Sequence, residues 1–130
     1  MPRILIIDDD DPFRTMLRMT LTKLGYDVIE APNGKLGLSL HLASPADLVM
    51  TDLIMPEQEG LETIRLLRRK QPEVKIVAMS GGGRINARDF LVVARMFGAN
   101  RTLVKPFSRE QLEATLAELL GPQPAAPQPG

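Results

Sequence analysis

The chain has 130 residues, 44% of them apolar, which suits one compact domain with a single core. Its 16 basic and 16 acidic side chains cancel, so the chain as a whole lacks the clustered basic surplus that direct nucleic-acid binding needs. There is no cysteine, which excludes disulfides, thiolate catalysis and thiolate-ligated zinc. The N-terminal apolar run Ile4 to Ile7 is too short for a signal-peptide core or a membrane span, so no membrane association and a cytoplasmic location are expected.

A first strand is expected at 3–7, where Ile4 to Ile7 form a continuous apolar run rich in β-branched side chains, the pattern of a strand buried on both faces. Asp8 to Asp11 follow, and a helix opens with Asp11 as expected N-cap and Pro12 in its first turn. Phe13, Met16, Leu17, Thr20, Leu21 and Leu24 recur at helical spacing, and Gly25 closes the helix. A second strand is expected at 26–30, and Asn33-Gly34 turns into a helix reaching about residue 41. The third strand falls at 47–51, and Met55-Pro56 lies in the loop before a helix over 59–70. A fourth strand at 74–79 ends at Ser80, and Gly81-Gly82-Gly83 breaks the chain before a helix over 86–97. A short fifth strand covers 101–104, and Ser108 caps a last helix to residue 120. Five strands alternating with five helices through short connections imply one α/β domain over 1–120, a parallel sheet covered on both faces. Residues 121–130 are Pro, Gln, Ala and Gly and cannot bury apolar surface, so they read as a flexible tail.

In an open parallel sheet, ligands bind beyond the carboxyl ends of the strands. The first strand delivers Asp8 and Asp9 there, the third Asp52, the fourth Ser80 and the fifth Lys105, while the second offers Glu30-Ala31-Pro32 with no evident role. Taken singly, each reads as readily as a cap, a strand end or a surface charge. Together they are consistent. Three carboxylates converging on one place repel one another, and Mg²⁺, a hard cation that binds oxygen and keeps exchangeable waters, relieves that repulsion. Asp9 and Asp52 would bind it directly and Asp8 through a water. Asp52 stands alone at its strand end, facing the pair from the first strand, and is the natural nucleophile for an acyl phosphate. Lys105 supplies positive charge, and the Ser80 hydroxyl a donor, to the phosphoryl oxygens.

The run Ile-Leu-Ile-Ile-Asp8-Asp9, the segment from Asp52 through Met55-Pro56 to Gly60, the strand ending in Ser80, and Lys105-Pro106-Phe107 resemble the marker motifs of response-regulator receivers. The resemblance runs from residue 3 to residue 120. It implies a doubly wound, flavodoxin- or CheY-like (βα)5 fold with strand order 2-1-3-4-5. It implies phosphorylation of Asp52 by a sensor histidine kinase or a histidine phosphotransfer protein, with the Ile54 carbonyl completing the Mg²⁺ site. It also implies a cis Lys105–Pro106 bond, and a downstream protein partner docking on the face between Asn86 and Leu120, with the chain monomeric or dimerising on phosphorylation.

Three positions depart from the receiver pattern. Thr102 stands where receivers usually carry an aromatic, so the usual serine–aromatic coupling is not expected, and Ser80 with Gly81-Gly82-Gly83-Arg84 is the alternative switch element. That glycine run, a plain turn on the simpler reading, is not a phosphate-binding P-loop, because no Gly-Lys-Ser or Gly-Lys-Thr follows. Ile54 puts an apolar side chain near the pocket mouth, where it is expected to hinder a hydrolytic water and slow self-dephosphorylation. His41, the single histidine, is expected at the surface, the basic stretch Arg65, Arg68, Arg69 and Lys70 as a solvated helix end, and Met16, Met19 and Met96 as core or partner-facing filler. With no room for an output domain, the chain reads as a regulatory module that acts by binding other proteins or by passing phosphate along a relay. A haloacid-dehalogenase-type phosphatase is the enzymatic alternative, but it needs its nucleophile on the first strand in an Asp-x-Asp-Gly motif, and the glycine is missing here. A pseudo-receiver that binds a partner without phosphate is the third reading.

Overall fold

The computed structural model describes residues 1–53, 59–81 and 87–121, apart from the side chains of Glu59 and of residues 87–91. Ile54, Met55-Pro56, Gly82-Gly83-Arg84, Asn86 and the tail from Pro122 onward lie outside the described residues, and with them the expectations placed there.

The elements alternate strictly: β1 (Arg3–Ile7), α1 (Asp11–Lys23), β2 (Asp27–Ala31), α2 (Gly34–Ala43), β3 (Leu48–Asp52), α3 (Glu59–Lys70), β4 (Lys75–Gly81), α4 (Ala87–Phe97), β5 (Arg101–Lys105) and α5 (Arg109–Leu120). The strands form one parallel sheet in the order β2-β1-β3-β4-β5. This is the doubly wound arrangement expected from the sequence. Apolar residues of β1, β3 and β4 are buried on both faces, which is why those strands read as unbroken apolar runs; β2 and β5 are the edges and begin with exposed Asp27 and Arg101.

Side chains alternate across the sheet and divide the core in two. Ile4, Ile6, Leu48, Met50, Val77, Met79 and Leu103 pack under α1 and α5, against Leu17, Leu21, Leu112 and Leu116. Leu5, Ile7, Val49, Ile76 and Ala78 pack on the other face, against Ile64 and Leu67 of α3 and Ala94 of α4. No described helix is long and apolar enough to cross a membrane.

Several local expectations need correction. The N-cap of α1 is Asp10, whose carboxylate accepts the Phe13 N–H at 3.1 Å; Asp11 is already helical. Four consecutive aspartates offer the same cap chemistry, and the tertiary position of the loop selects among them. His41 is fully buried, and its Nδ1 accepts the Ala46 N–H at 3.0 Å. The backbone leading into β3 supplies the donor to this ring nitrogen, while the buried Nε2 has no partner among the described residues. Met16, Met19 and Met96 are exposed, so none of them fills the core. Arg68 is not a solvated helix end: its guanidinium binds the carbonyls of Pro72, Val74 and Gly98 and the Asn100 side chain.

Gly60, in the first turn of α3, sets how closely that helix approaches β3. A Cβ there would lie 2.6 Å from Leu53 Cα and 2.9 Å from its carbonyl oxygen, and would press on the Asp52 carbonyl as well. At Gly37 of α2 the added carbon meets a side chain instead, pressing on Ile7 Cδ1 and lying 2.7 Å from its Cγ1. Alanine gains about 1 kcal/mol of helix propensity over glycine at either site. Overpacking outweighs that gain at both sites: Gly60→Ala, which presses on fixed backbone, is expected to lose about 2–3 kcal/mol net in urea unfolding, and Gly37→Ala, which presses on a buried side chain, about 1 kcal/mol.

Candidate functional site

The strand registers bring the carboxyl ends level. Ile7 lies opposite Thr51, Asp52 opposite Met79, and Ser80 opposite Val104. Asp52, Ser80 and Lys105 fall within their strands rather than in the loops beyond, because β3, β4 and β5 each run one or two residues further than the pattern predicts. Their backbone is therefore held by the sheet ladder. The two-residue alternation explains how three of them meet: Asp8, Asp52 and Lys105 share parity with the residues under α1 and α5, whereas Ser80 shares the parity of the opposite face.

Lys105 Nζ lies 2.6 Å from a carboxylate oxygen of Asp8 and 3.7 Å from one of Asp52. The other Asp8 oxygen accepts the Asp10 N–H at 2.9 Å, so the fully buried Asp8 carboxylate is engaged on both sides. Asp9 is exposed, while Asp52 is only 5% exposed. One carboxylate oxygen from each of Asp8, Asp9 and Asp52 lies within 4.8 Å of the others. Ser80 Oγ is fully buried and has no hydrogen-bond partner among the described residues. The site thus holds three converging carboxylates and one compensating ammonium, with a buried hydroxyl that lacks a partner among the described residues at the end of the neighbouring strand.

These residues suit a divalent oxygen-seeking ion. The donors are all hard oxygens, one ammonium leaves a net negative charge among three carboxylates, and the exposed Asp9 opens the cluster to solvent. The structure brings together Asp8, Asp9, Asp52 and Lys105, and places Ser80 at the same edge of the sheet, at the carboxyl end of the neighbouring β4; the position of Ile54 lies outside the described residues. The Lys105–Pro106 bond is cis, as the resemblance implies.

Four side chains around the site, Phe13, Arg14, Arg18 and Glu30, were not picked out from the sequence as parts of it. Phe13, read there as a core position of α1, places its ring 4.0 Å from Lys105 Nζ and meets Phe107 edge-on at 5.9 Å between centroids. The ring face attracts the ammonium and walls it from that side. Glu30 and Arg14 form an ion pair at 2.9 Å beside Asp8, with Arg18 on the other Glu30 oxygen at 2.7 Å. A glutamate at the carboxyl end of β2 and arginines one helical turn apart on α1 were the available signal, but nothing in a single sequence fixes that they face each other. Thr102 is half-buried on β5, opposite Ala78.

Residues 4–117 match the family described as the response regulator receiver domain. The response regulator MprA of Mycolicibacterium vanbaalenii is 36% identical over 118 residues, covering 91% of this chain and 50% of that protein. The DNA-binding dual master transcriptional regulator RpaA of Synechocystis is 34% identical over 122 residues, covering 92% of this chain and 49% of that protein. The chain spans about half the length of the curated relatives it matches. Among solved structures, the chemotaxis protein CheY4 of Vibrio cholerae superimposes with a TM-score of 0.82 at 28% identity, covering 92% of this chain and 99% of that one. Sheet order and sequence agree along nearly the whole domain: the chain belongs to the response regulator receiver domain family, the regulatory module of two-component signalling.

Proposed function

We propose that the chain is a phosphoacceptor switch in which Asp52 takes a phosphoryl group from a phosphohistidine of a sensor kinase or phosphotransfer protein. The observation that carries this reading is the convergence of Asp8, Asp9 and Asp52 within 4.8 Å, with Lys105 on Asp8 and near Asp52; it is supported by the Ser80 hydroxyl at the end of β4, buried and without a partner among the described residues.

An Asp52 carboxylate oxygen forms a bond to phosphorus as the bond from phosphorus to the donor's imidazole nitrogen breaks. The imidazole leaves neutral, its second nitrogen carrying the proton. The transition state is loose, so the chain contributes mainly position and charge. Lys105 already lies 3.7 Å from Asp52 and offers its ammonium to the phosphoryl oxygens; Ser80 Oγ donates to another of them. Asp9 and Asp52 would hold Mg²⁺ directly, Asp8 through a water, and the Ile54 carbonyl is the further ligand that the family pattern implies. When bound, Mg²⁺ neutralises charge on the phosphoryl group. Exposed Val92, Met96, Phe97 and Val104 support the face between Asn86 and Leu120 as the one a downstream partner, or a second copy, reads.

The phosphatase reading has a physical objection beyond its missing motif. The nucleophile would be on β1, and there the Asp8 carboxylate is held by both the Asp10 N–H and Lys105.

The test is incubation with Mg²⁺ and a small acyl phosphate, followed by intact mass. One added phosphoryl group, labile in alkali and absent when a chelator removes Mg²⁺, is the expected result. An unmodified chain, or sustained turnover of a phosphate ester without a covalent adduct, overturns the proposal.

A further inference from the structure

Asp8 is restrained on every polar group. Its N–H donates to Ala31 O of β2 at 3.1 Å, its two carboxylate oxygens meet Asp10 N–H and Lys105, and its carbonyl accepts Arg14 Nη1 at 2.6 Å. The last of these comes from a side chain that does nothing else in the pocket. Arg14 projects from the first turns of α1, and its side chain is only 12% exposed. Its Nε donates to Glu30 Oε1 at 2.9 Å, and its Nη2 lies 2.6 Å from Asp11 Oδ1. One guanidinium thus grips the end of β1, the end of β2 and the start of α1.

The carbonyl it holds is informative. The Asp8 C=O and the Asp9 N–H belong to one planar peptide unit, so fixing that oxygen fixes the plane from which Asp9 departs. Asp9 is the exposed member of the carboxylate cluster, beyond the last residue of the β1 ladder, and its direction depends on this peptide. The charge of Arg14 is already matched by Glu30 and Asp11, so its effect on the cluster is geometric rather than Coulombic. Glu30 in turn orients the guanidinium and is itself steadied by Arg18 at 2.7 Å.

We propose that Arg14, oriented by Glu30, is a positioning residue that aims the Asp8–Asp9 peptide and so presets the acidic cluster for its cation. The role rests on the reading of that cluster given above. A lysine keeps the charge but cannot span three separated acceptors with one compact ammonium, whereas a planar fork can.

The experiment compares the native chain with Arg14→Met, Arg14→Lys and Glu30→Gln. The readouts are the Mg²⁺ dissociation constant from calorimetry, the rate of phosphoryl uptake at low and at saturating Mg²⁺, and urea unfolding without Mg²⁺. Both Arg14 variants are expected to weaken Mg²⁺ binding about tenfold and to slow uptake at low Mg²⁺, with most of the rate recovered at saturation. Glu30→Gln, which leaves the bond to the Asp8 carbonyl, is expected to weaken binding by a smaller factor, about threefold. Native Mg²⁺ affinity in a folded Arg14→Met chain overturns the proposal, as does full restoration by lysine, which would make the effect one of charge. Should Arg14→Met not fold, unchanged affinity in both Arg14→Lys and Glu30→Gln overturns it equally. A native chain that neither binds Mg²⁺ nor takes up phosphoryl defeats the underlying reading of Asp52, an outcome distinct from variants that match a working native chain.

Discussion

An Asp52→Asn chain is expected to take up no phosphoryl group under conditions that modify the native chain completely, and yet to be more stable than the native chain when Mg²⁺ is absent. The first half follows from chemistry: an amide oxygen is a far weaker nucleophile than a carboxylate, while the side chain keeps its shape in a site that is 5% exposed. The second half follows from the balance of charge. Within the acidic cluster Asp52 faces two carboxylates at no more than 4.8 Å and the Lys105 ammonium at 3.7 Å. Coulomb energy falls only as the inverse of distance, so two such repulsions outweigh one such attraction in the same medium. Removing the charge relieves the excess, by about 1 kcal/mol once solvent screening is allowed for. Asp9→Asn serves as the contrast. It keeps the nucleophile and is expected to be phosphorylated, but slowly and only at raised Mg²⁺, because it loses a cation-binding oxygen. Intact mass and urea titration with and without Mg²⁺ check both variants. A phosphoryl group on Asp52→Asn would move the acceptor elsewhere, and a loss of stability without Mg²⁺ would mean that Lys105 dominates the local balance.

Much of this arrangement is legible in the sequence because it depends on strand ends. Residues 4–7 are apolar without a break since β1 is central and buried on both faces, and the register of a parallel sheet then carries Asp8, Asp52, Ser80 and Lys105 to one edge. The rest depends on which long side chain reaches which distant backbone atom. His41 looks like a surface residue until Ala46 N–H is seen to point at it. Glu30 looks idle until α1 lays Arg14 and Arg18 across it. Asp10 and Asp11 are chemically identical caps, and only the path of the loop makes Asp10 the one that caps. Periodicity reports the face on which a residue lies, and says nothing of partners twenty or thirty residues away.

Arg68 shows the same point with the largest expected cost in stability. Its guanidinium makes five hydrogen bonds to four acceptors: two to Gly98 O at 2.7 and 3.3 Å, and one each to Pro72 O at 2.6 Å, Val74 O at 2.8 Å and Asn100 Oδ1 at 2.8 Å. The Asn100 oxygen also accepts the Ile76 N–H, so the arginine braces the start of β4 as well. It thereby ties the end of α3 to the turn between α4 and β5, where Gly98 has a φ of +123°. Burial pulls the guanidinium pKa below its ordinary value, which costs some of what the bonds return. Hydrogen bonds from a charged donor are worth about 1.5–3 kcal/mol each when both partners are shielded, and water can replace those nearest the surface. Four of the five are part-buried and only the bond to Pro72 O is exposed, so against one partial desolvation the bonds win. Arg68→Met is expected to lose about 3 kcal/mol, a large share of the roughly 5–15 kcal/mol that holds a domain of this size together. Arg68→Lys should recover less than half of the loss, since one ammonium cannot reach acceptors on both sides of the loop. Urea unfolding at constant slope measures both changes. A methionine variant within about 0.5 kcal/mol of the native chain would place Arg68 among ordinary surface substitutions.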